Sequence, residues 1–382
     1  ANPLCSPTRA SILTGRDPGR LRLTTPAGHL ENVVLNPVVQ ETAPGKNKLL
    51  VAGSCTRLDT NYVTYAETMQ AAGYATAFMG KWHLGRAPYI PENRGFETVV
   101  GGRYHPGPPG GYFAPFSADS NLPDTPAGTH VNDLLVDQSL DFLSQKRNEP
   151  FLLNLWFYDV HGPFECKEAL RTNYLGKAST DGRQKNPTMG AMVEAMDIGL
   201  GRVLDQVDAL GLAENTVILF FSDNGGNMYN WEDGSLLTHN WPLRGGKGSV
   251  YEGGTRVPCV VVWPGHTTPG AVSDGLLQSP DWYPTILELA GLEPAPDSAL
   301  DAFSQTNLLA GGASARTNAF CHFPHMGTAN GCMPACWVRQ GDWKLLRFFH
   351  DGPDWNHRYE LYNLAADPHE SVDLSSLNTG LV

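Results

Sequence analysis

Four short apolar runs, each ending abruptly in a polar or glycine-rich segment, constrain the fold of this chain most strongly. They cover residues 74–79, 151–158, 216–221 and 257–263. Their length and their β-branched and aromatic residues predict strands that are buried on both faces of a sheet. Apolar residues at helical spacing cover 61–72, 188–210 and 281–290. Strands that alternate with helices predict an α/β fold with a mainly parallel central sheet sandwiched by helices.

The pattern changes near residue 316, after which short strand-like segments follow one another. Residues 335–339 and 343–349 flank a Gln-Gly-Asp turn and predict a hairpin, and 360–364 predicts another short strand. We therefore predict a main domain at 1–315 and a small C-terminal antiparallel-sheet subdomain at 316–382. Residues 104–129 are rich in proline and glycine and predict a surface loop.

Composition and charge exclude several classes of protein. The 382 residues include 27 Lys and Arg against 39 Asp and Glu, for a net charge of −12. Such an acidic chain is a poor general binder of nucleic acid, because phosphate contacts need a basic surface. No apolar run approaches the roughly 20 residues that a membrane-spanning helix needs.

The cysteines do not form a metal or redox motif. The chain has 7 cysteines and no C-x-x-C pair, which disfavours zinc-ribbon and thioredoxin-like sites. If Cys5 has a chemical role, an even number remains, compatible with disulfides in an exported protein. Cys259 lies inside an apolar run, so we expect an inert core thiol there.

Several polar side chains directly follow the predicted strands. Lys81 and His83 follow the first run, His161 follows the second, and Asp223 and Asn224 follow the third. Functional groups gather beyond the carboxyl ends of the strands in sheets of this type. These residues are therefore candidates for one common site, although each could instead be a surface or turn residue.

Residues 5–16, CSPTRASILTGR, carry the most informative motif. They resemble the signature of the type I sulfatases, in which the cysteine of C-x-[PA]-[ST]-R is oxidised to formylglycine. Residues 73–83, 222–225 and 243–258 resemble further family segments in the same order. The resemblance covers nearly the whole chain and implies an alkaline-phosphatase-like fold. It implies the activity of a sulfuric ester hydrolase.

The chemistry of sulfate esters explains why such residues are needed. The substrate is a tetrahedral anion with a poor leaving group, so catalysis needs a strong nucleophile, nearby cations and a proton donor. The resemblance implies that Cys5, as formylglycine, is the nucleophile and that Arg9 stabilises it. It also implies that Lys81 and His83 hold the sulfate and the hydrated aldehyde.

The remaining catalytic roles also follow from the resemblance. His161 and Lys247 match the pair that contacts the sulfate and protonates the leaving oxygen. Asp223 and Asn224 match two ligands of a divalent cation, most often Ca²⁺, with Mg²⁺ possible. Cationic side chains that converge in an acidic protein would concentrate an anionic substrate locally.

The start of the chain departs from the family pattern. Type I sulfatases take two further metal ligands from adjacent aspartates on a strand upstream of the cysteine, whereas only four residues precede Cys5. Calcium prefers six to eight oxygen ligands. We therefore expect an N-terminally incomplete chain, which lacks its first strand and as written binds metal weakly and is poorly active.

Three features favour a sulfated sugar or polysaccharide as substrate. Residues 321–325 resemble an H-x-P-H element of bacterial polysaccharide sulfatases. Trp231 and His239 lie in the polar loop after the predicted metal strand, and Arg103 and His105 lie at the start of the loop rich in proline and glycine. The candidate substrate contacts are Arg103, His105, Trp231, His239, His322 and His325. Each could instead be a surface or fold-supporting residue. The combined pattern predicts exo-removal of sulfate.

The resemblance also implies partners and a location. A formylglycine-generating enzyme would convert Cys5, and the protein would be periplasmic or secreted. Two alternatives stay open: a phosphonate monoester or phosphodiester hydrolase on the same scaffold, and a non-catalytic relic that binds sulfated glycans. The filled catalytic positions favour the enzyme. The particular sugar, the sulfate position and the oligomeric state stay open.

Overall fold

The fold is taken from a computed structural model, which describes residues 2–39, 41–42, 49–50, 53–296, 299–326 and 333–382. The α-helices are α1 Cys5–Thr14, α2 Pro18–Leu21, α3 Tyr65–Ala71, α4 Val131–Lys146, α5 Glu168–Arg171, α6 Pro187–Ala209, α7 Glu252–Thr255, α8 Trp282–Leu289 and α9 Thr306–Leu309. The strands are β1 Ala75–Gly80, β2 Thr98–Gly101, β3 Phe151–Trp156, β4 Ile218–Phe221, β5 Trp231–Glu232, β6 Ser235–Leu236, β7 Cys259–Val262, β8 Asn318–Phe323, β9 Ala335–Gln340, β10 Trp343–Phe348 and β11 Arg358–Asn363.

A parallel sheet in the order β2-β1-β3 forms the centre of the fold. Every residue of β1 is buried, as expected for a middle strand with both faces covered. Phe78 packs into one core cluster with residues of α1, α3 and α8. Its neighbours Ala77 and Met79 pack on the opposite face with residues of α4 and α6. This alternation confirms the predicted helix-sheet-helix layers and the alkaline-phosphatase-like class.

The second half of the central region differs from the sequence prediction. β4 pairs with β7 in a separate antiparallel pair, and no described strand lies between β3 and β4. β3 and β4 line one cavity of about 1190 Å³. β3 and β4 are consequently half-buried, not buried on both faces as the apolar runs predicted.

The prediction that Cys259 is a core thiol is wrong. Three of the four residues of β7, Cys259 among them, are exposed, and Val260 is 58% exposed. Within the strand, Val261 packs against the core. The apolar run therefore predicted a strand correctly. A strand in a two-stranded pair, however, is less buried than a strand in the middle of a sheet. Cys5, Cys55, Cys166 and Cys336 are also free thiols, and Cys332 lies outside the described residues.

Four antiparallel strands in the order β11-β10-β9-β8 form the C-terminal sheet. The β9–β10 hairpin and β11 were predicted, and their pairing confirms that region as antiparallel. β8 was not predicted, although its alternate residues are buried. The sheet packs against Leu4, Val250 and Tyr251, next to the segments that carry Cys5 and Lys247. The domain division at residue 316 stays a prediction.

The predicted helices are confirmed with small shifts of their ends. α3 begins at Tyr65, later than predicted, because Thr64 and Glu67 form a reciprocal capping box. Residues 104–129 form neither helix nor strand, and Phe113 makes an isolated bridge to His130. Within the described parts of the chain, every helix is too short or too polar to span a membrane.

Candidate active site

Helix α1 places Cys5 and Arg9 on one face. The helix begins at Cys5, and residues four apart on a helix point in the same direction. All ten residues of α1 are buried. The Arg9 guanidinium donates from Nε to Asp223 Oδ2 at 2.8 Å and from Nη1 to the Lys81 carbonyl at 2.6 Å. Arg9 therefore joins the ends of β1 and β4.

The turn after β1 requires glycine and delivers Lys81 to the site. Gly80 has a φ of 103°, and a Cβ there would lie 2.1 Å from the Trp156 carbonyl oxygen. The next amide, of Lys81, donates to that same oxygen at 2.8 Å. Burial lowers the pKa of Lys81 to about 8. The repulsion of Arg9 and Lys247 adds to this shift, whereas the attraction of Cys5 opposes it.

His83 lies beside the cysteine and is held firmly. Its Nδ1 lies 3.4 Å from Cys5 Sγ, and its carbonyl accepts a hydrogen bond from Ser6 Oγ at 2.8 Å. Its amide donates to the Arg103 carbonyl at 3.1 Å, and its φ of 58° is unusual for a residue with a side chain. Burial holds the pKa of His83 well below its usual value, and the positive charge of Lys81 adds to this effect.

His161 follows β3 and is neutral in this arrangement. Its Nδ1 donates to the Gly162 carbonyl at 2.9 Å, so that Nε2 is left as the acceptor. Burial lowers its pKa to about 3, and the repulsion of Lys81 and Lys247 contributes. A sulfate anion between these groups would offset that repulsion and make the protonated ring easier to form.

The polar loop after β4 offers oxygen atoms to a cation. Burial would raise the pKa of Asp223, but Arg9, Lys81 and Lys247 lower it to about 2, so the carboxylate is ionised. The Oδ1 atom of Asn224 is buried and has no hydrogen-bond partner. A carboxylate oxygen and an amide oxygen without a partner fit a hard divalent cation. Among the described residues, no group of three or more His, Cys, Asp or Glu side chains forms a complete metal site.

Close contact between two glycine-rich loops positions Lys247. The Gly225 amide donates to the Gly254 carbonyl at 3.0 Å, and a Cβ on Gly225 would lie only 1.8 Å from the Gly253 oxygen. The Lys247 amide in turn donates to the Gly226 carbonyl at 2.9 Å. The loop after β4 therefore holds residues 243–258, the lysine loop, beside Asp223 and Asn224.

The structure brings the predicted catalytic and metal residues together. Lys81 has electrostatic interactions with Cys5, Arg9, Asp223 and Lys247, and His161 interacts with Lys81, Lys247 and Asp223. Six of the eight predicted residues line the cavity under β3 and β4: Arg9, Lys81, His161, Asp223, Asn224 and Lys247. The arrangement can hold a tetrahedral anion against the side chain of residue 5, while the role of each residue stays a prediction.

Two of the predicted substrate contacts are engaged in surface ion pairs. Arg103 donates to the Glu92 carboxylate at 2.7 Å and 3.0 Å. His105 lies 3.3 Å from Asp119. Their roles as substrate contacts stay predictions.

The other four predicted substrate contacts lie in three places. Trp231, on the β5–β6 hairpin, is 66% exposed and available for stacking. His239 Nδ1 accepts from the Trp241 amide at 3.0 Å. His322 is exposed on β8, and His325 is bonded to Thr24 Oγ1 at 2.7 Å. Their contact with a substrate also stays a prediction.

Sequence reasoning missed a residue that contacts His83 from the solvent side. His29 Nδ1 lies 3.1 Å from His83 Nε2, on the side of the ring away from Cys5. It follows Gly28 in a loop that has neither a strand nor a helical period, so no local pattern marked it. Its chemistry is visible once the loop is folded against His83.

Comparison with known proteins agrees with this geometry. The sulfatase family model matches residues 1–292, and a model of the C-terminal part of N-sulphoglucosamine sulphohydrolase matches 245–378. Human N-acetylgalactosamine-6-sulfatase is 32% identical over 80% of this chain, which spans 56% of that relative. Human arylsulfatase A is 30% identical over 91% of this chain and 66% of its own length.

A solved structure also shares the fold over the whole length of this chain. The crystal structure of Ps i-CgsB in complex with k-i-k-neocarrahexaose has a TM-score of 0.75 and 24% identity. It covers 100% of this chain, which covers 80% of that one. With the family model matching most of its length, this chain belongs to the sulfatase family.

Proposed function

We propose that this chain hydrolyses sulfate esters of a sulfated sugar or polysaccharide, with residue 5 converted from cysteine to formylglycine. The observation that carries the proposal is the buried Cys5 side chain facing Arg9, Lys81 and His83. A buried cationic pocket without a bound anion is costly, and a sulfo group supplies the compensating charge.

The residues around position 5 would activate and hold the nucleophile. Hydrated formylglycine supplies two hydroxyl groups, one to attack sulfur and one whose loss of a proton releases sulfate. Arg9 and Lys81 would bind the sulfo oxygens and stabilise the charge that builds up on them. His83, whose Nδ1 lies 3.4 Å from the residue 5 side chain, would accept a proton from it.

The leaving oxygen would be protonated from the opposite side of the pocket. Lys247 and His161 lie near each other and near Lys81. The bound sulfo anion would raise the proton affinity of His161, which is low in its absence. Asp223 and Asn224 would hold a divalent cation, Ca²⁺ or Mg²⁺, that draws negative charge from the sulfo group.

The relatives and the surface of the site support a sulfated sugar as the substrate. One matched relative and one matched family model are named for sulfated or sulfamidated amino sugars. The exposed ring of Trp231 offers a stacking surface for a sugar. The other proposed contacts are Arg103, His105, His239, His322 and His325. A formylglycine-generating enzyme is the proposed maturation partner, and a periplasmic or secreted location is proposed with it.

Mass spectrometry of the Cys5 peptide, combined with turnover of defined sulfated sugars, tests the proposal. The protein is produced with a formylglycine-generating enzyme and assayed with Ca²⁺. We expect a loss of 18 Da when the thiol becomes the aldehyde, and sulfate release that is abolished in Cys5→Ala. Full turnover by a protein with an unmodified thiol would contradict the mechanism.

Two matched measurements separate the alternatives. Faster hydrolysis of a nitrophenyl phosphodiester or phosphonate than of nitrophenyl sulfate would favour the phosphorus chemistry. Binding of sulfated sugar without turnover by the modified protein would favour a non-catalytic relic. Either result would replace the proposal.

A further inference from the structure

We infer that His29 is a positioning residue that connects buried His83 to solvent and carries away the proton that His83 receives when sulfate is released. The inference rests on the proposed function. It assigns a role to a residue outside the predicted site. It is based on the contacts that connect residue 5, His83 and His29 from the buried pocket to the surface.

Two short contacts connect residue 5 to His29 through His83. His83 Nδ1 lies 3.4 Å from Cys5 Sγ, and His83 Nε2 lies 3.1 Å from His29 Nδ1. Each of the two nitrogens of His83 therefore has its own partner, on opposite sides of the ring. His83 is 1% exposed, whereas His29 is an exposed residue. The two rings lead from the buried nucleophile position to water.

The turn that carries His29 is fixed against His83 by the backbone. A Cβ on Gly28 would lie 2.3 Å from the His83 carbonyl oxygen, so this close approach needs glycine. Arg57, which is 1% exposed, donates from Nη1 to the Gly28 carbonyl at 3.2 Å and from Nη2 to the Leu30 carbonyl at 2.6 Å. The buried guanidinium thereby holds the residues on both sides of His29.

Electrostatics require an outlet for protons at His83. Lys81, Arg9 and His161 face the ring, together with His29. Burial and these groups hold the pKa of His83 well below its usual value, so a doubly protonated ring is disfavoured there.

His29 is suited to pass a proton on without keeping it. Burial lowers its pKa, and Arg57 and Arg86 face it and lower it further. The ring therefore stays neutral near pH 7, so that one nitrogen can accept a proton while the other donates one.

The proton balance is simple. As the bond from residue 5 to sulfate breaks, with its electron pair on sulfate, the remaining hydroxyl proton moves to His83 Nδ1. The O–H electron pair stays on residue 5 as the new carbonyl bond. The Nε2 proton of His83 then moves to His29 Nδ1, and the Nε2 proton of His29 goes to water. When water next adds to the carbonyl, it contributes its oxygen and one proton as one hydroxyl, and its other proton passes to solvent. A proton that returns through His29 and His83 protonates the former carbonyl oxygen to form the second hydroxyl, and this restores both rings.

Nitrogen NMR of the histidine rings tests the coupling without any turnover. In the protein with an unmodified Cys5 thiol, we expect His83 to be neutral with its proton on Nε2, and His29 Nδ1 to accept. In His29→Ala the His83 signals should shift to a mixture of tautomers. His29→Gln, which retains an acceptor, should keep the wild-type tautomer.

Kinetics of the modified protein separate a proton path from a merely structural role. We expect His29→Ala and His29→Gln to lower kcat by about 10- to 100-fold with KM within about twofold, because a proton-transfer partner is lost. Added imidazole should restore kcat in His29→Ala, and the pH profile of kcat should shift. His266→Ala, at an exposed histidine stacked on Trp263, is the matched control and should behave as wild type.

The NMR and kinetic experiments test the inference separately from the proposed function. If the modified wild-type protein releases no sulfate, the proposed function fails. In that case His83 tautomers that are the same in wild type and His29→Ala overturn the inference, whereas altered tautomers support the coupling. With an active enzyme, an unchanged kcat in His29→Ala, or a loss that imidazole does not restore, overturns it.

Discussion

Burial keeps His161 and His130 neutral. Burial lowers the pKa of His161 to about 3 and that of His130 to about 4. Inside the site this neutrality keeps a ring ready to accept a proton. Outside it, at His130, the same property affects stability alone, because His130 accepts from the Asn132 amide at the N-terminus of α4.

His130 should destabilise the fold in acid. The unfolded chain binds a proton near pH 6.5, whereas folded His130 binds one only near pH 4. As the pH falls from 6.5 toward 4, the unfolded chain binds more protons and the free energy of unfolding decreases. His130→Asn keeps an N-cap acceptor and should remove about 2 kcal/mol of the loss between pH 7 and pH 5. Urea unfolding at the two pH values measures this.

His357→Asn is the control for that measurement. His357 is half-exposed in the C-terminal sheet region, away from α4. Desolvation, Arg347 and His350 also lower the pKa of His357, but this ring is open to water, so its substitution should change the difference between pH 7 and pH 5 far less than His130→Asn does. An equal effect of the two substitutions would contradict the role assigned to burial of His130.

At the residue scale the sequence identified the groups that end up around Cys5. Lys81, His161 and Asp223 could be predicted because each directly follows a strand, where the topology of a parallel sheet brings side chains together. His29 could not, because its position depends on the packing of Gly28 against the His83 backbone. Such a contact between distant segments leaves no periodic mark in the sequence.

Most of the predicted site residues lie in loops, and the contact between two glycine-rich segments decides where Lys247 lies. Gly225 and Gly253 approach so closely that no side chain fits between them. The loop after β4 and the lysine loop are therefore one packed unit. A change in either should move both the cation-binding oxygens and the lysine.

Gly225→Ala should damage this unit. Its Cβ would lie 1.8 Å from the Gly253 oxygen, and backbone is hard to displace. We expect a loss of about 2–3 kcal/mol of stability and at least about a tenfold loss of kcat/KM, measured by urea unfolding and sulfate release.

The matched control is Gly201→Ala, in the middle of α6. A Cβ there meets no atom within 4 Å. Alanine favours a helix over glycine by about 0.5–1 kcal/mol, so this variant should be slightly more stable and fully active. If both glycine variants had the same stability, the close contact at Gly225 would not constrain the loop.

At the element scale the apolar runs predicted where strands lie but not how deeply each is buried. β1 agrees with the expectation because it has neighbours on both sides and helices on both faces. β7 has one neighbour, β4, so an equally apolar sequence leaves Val260 and Cys259 exposed. Burial depends on partners, which the run itself does not specify.

Across the whole molecule, a buried ionic group attaches the C-terminal sheet to the lysine loop. Lys344 of β10 is fully buried, and its Nζ lies 2.8 Å from Glu252 of α7 and 2.9 Å from Glu370. Glu370 also accepts from the Glu252 amide at 2.7 Å. One ammonium thus serves two carboxylates from two distant segments.

Lys344→Met should leave both buried carboxylates without their nearest cation, with Arg339 remaining 3.9 Å from Glu252. Removing one member of a buried ionic group costs about 3–5 kcal/mol, far more than a surface pair contributes. We expect that loss in urea unfolding, together with a lower kcat as the lysine loop loosens.

Lys146→Met, which removes an exposed pair with Glu149, is the comparison and should cost less than about 1 kcal/mol. Equal losses in the two variants would show that the buried group contributes no more than a surface one.

The residues of the candidate site come from two separate sheets that a side chain joins. Lys81 and His161 follow strands of one sheet and Asp223 follows a strand of another, and the two sheets share no described backbone ladder. Arg9 bridges them, with one nitrogen on each side. The distance between the two strand ends is therefore set in part by one side chain rather than by a continuous backbone ladder. A shorter or longer cation at position 9 would change the spacing between Lys81 and Asp223.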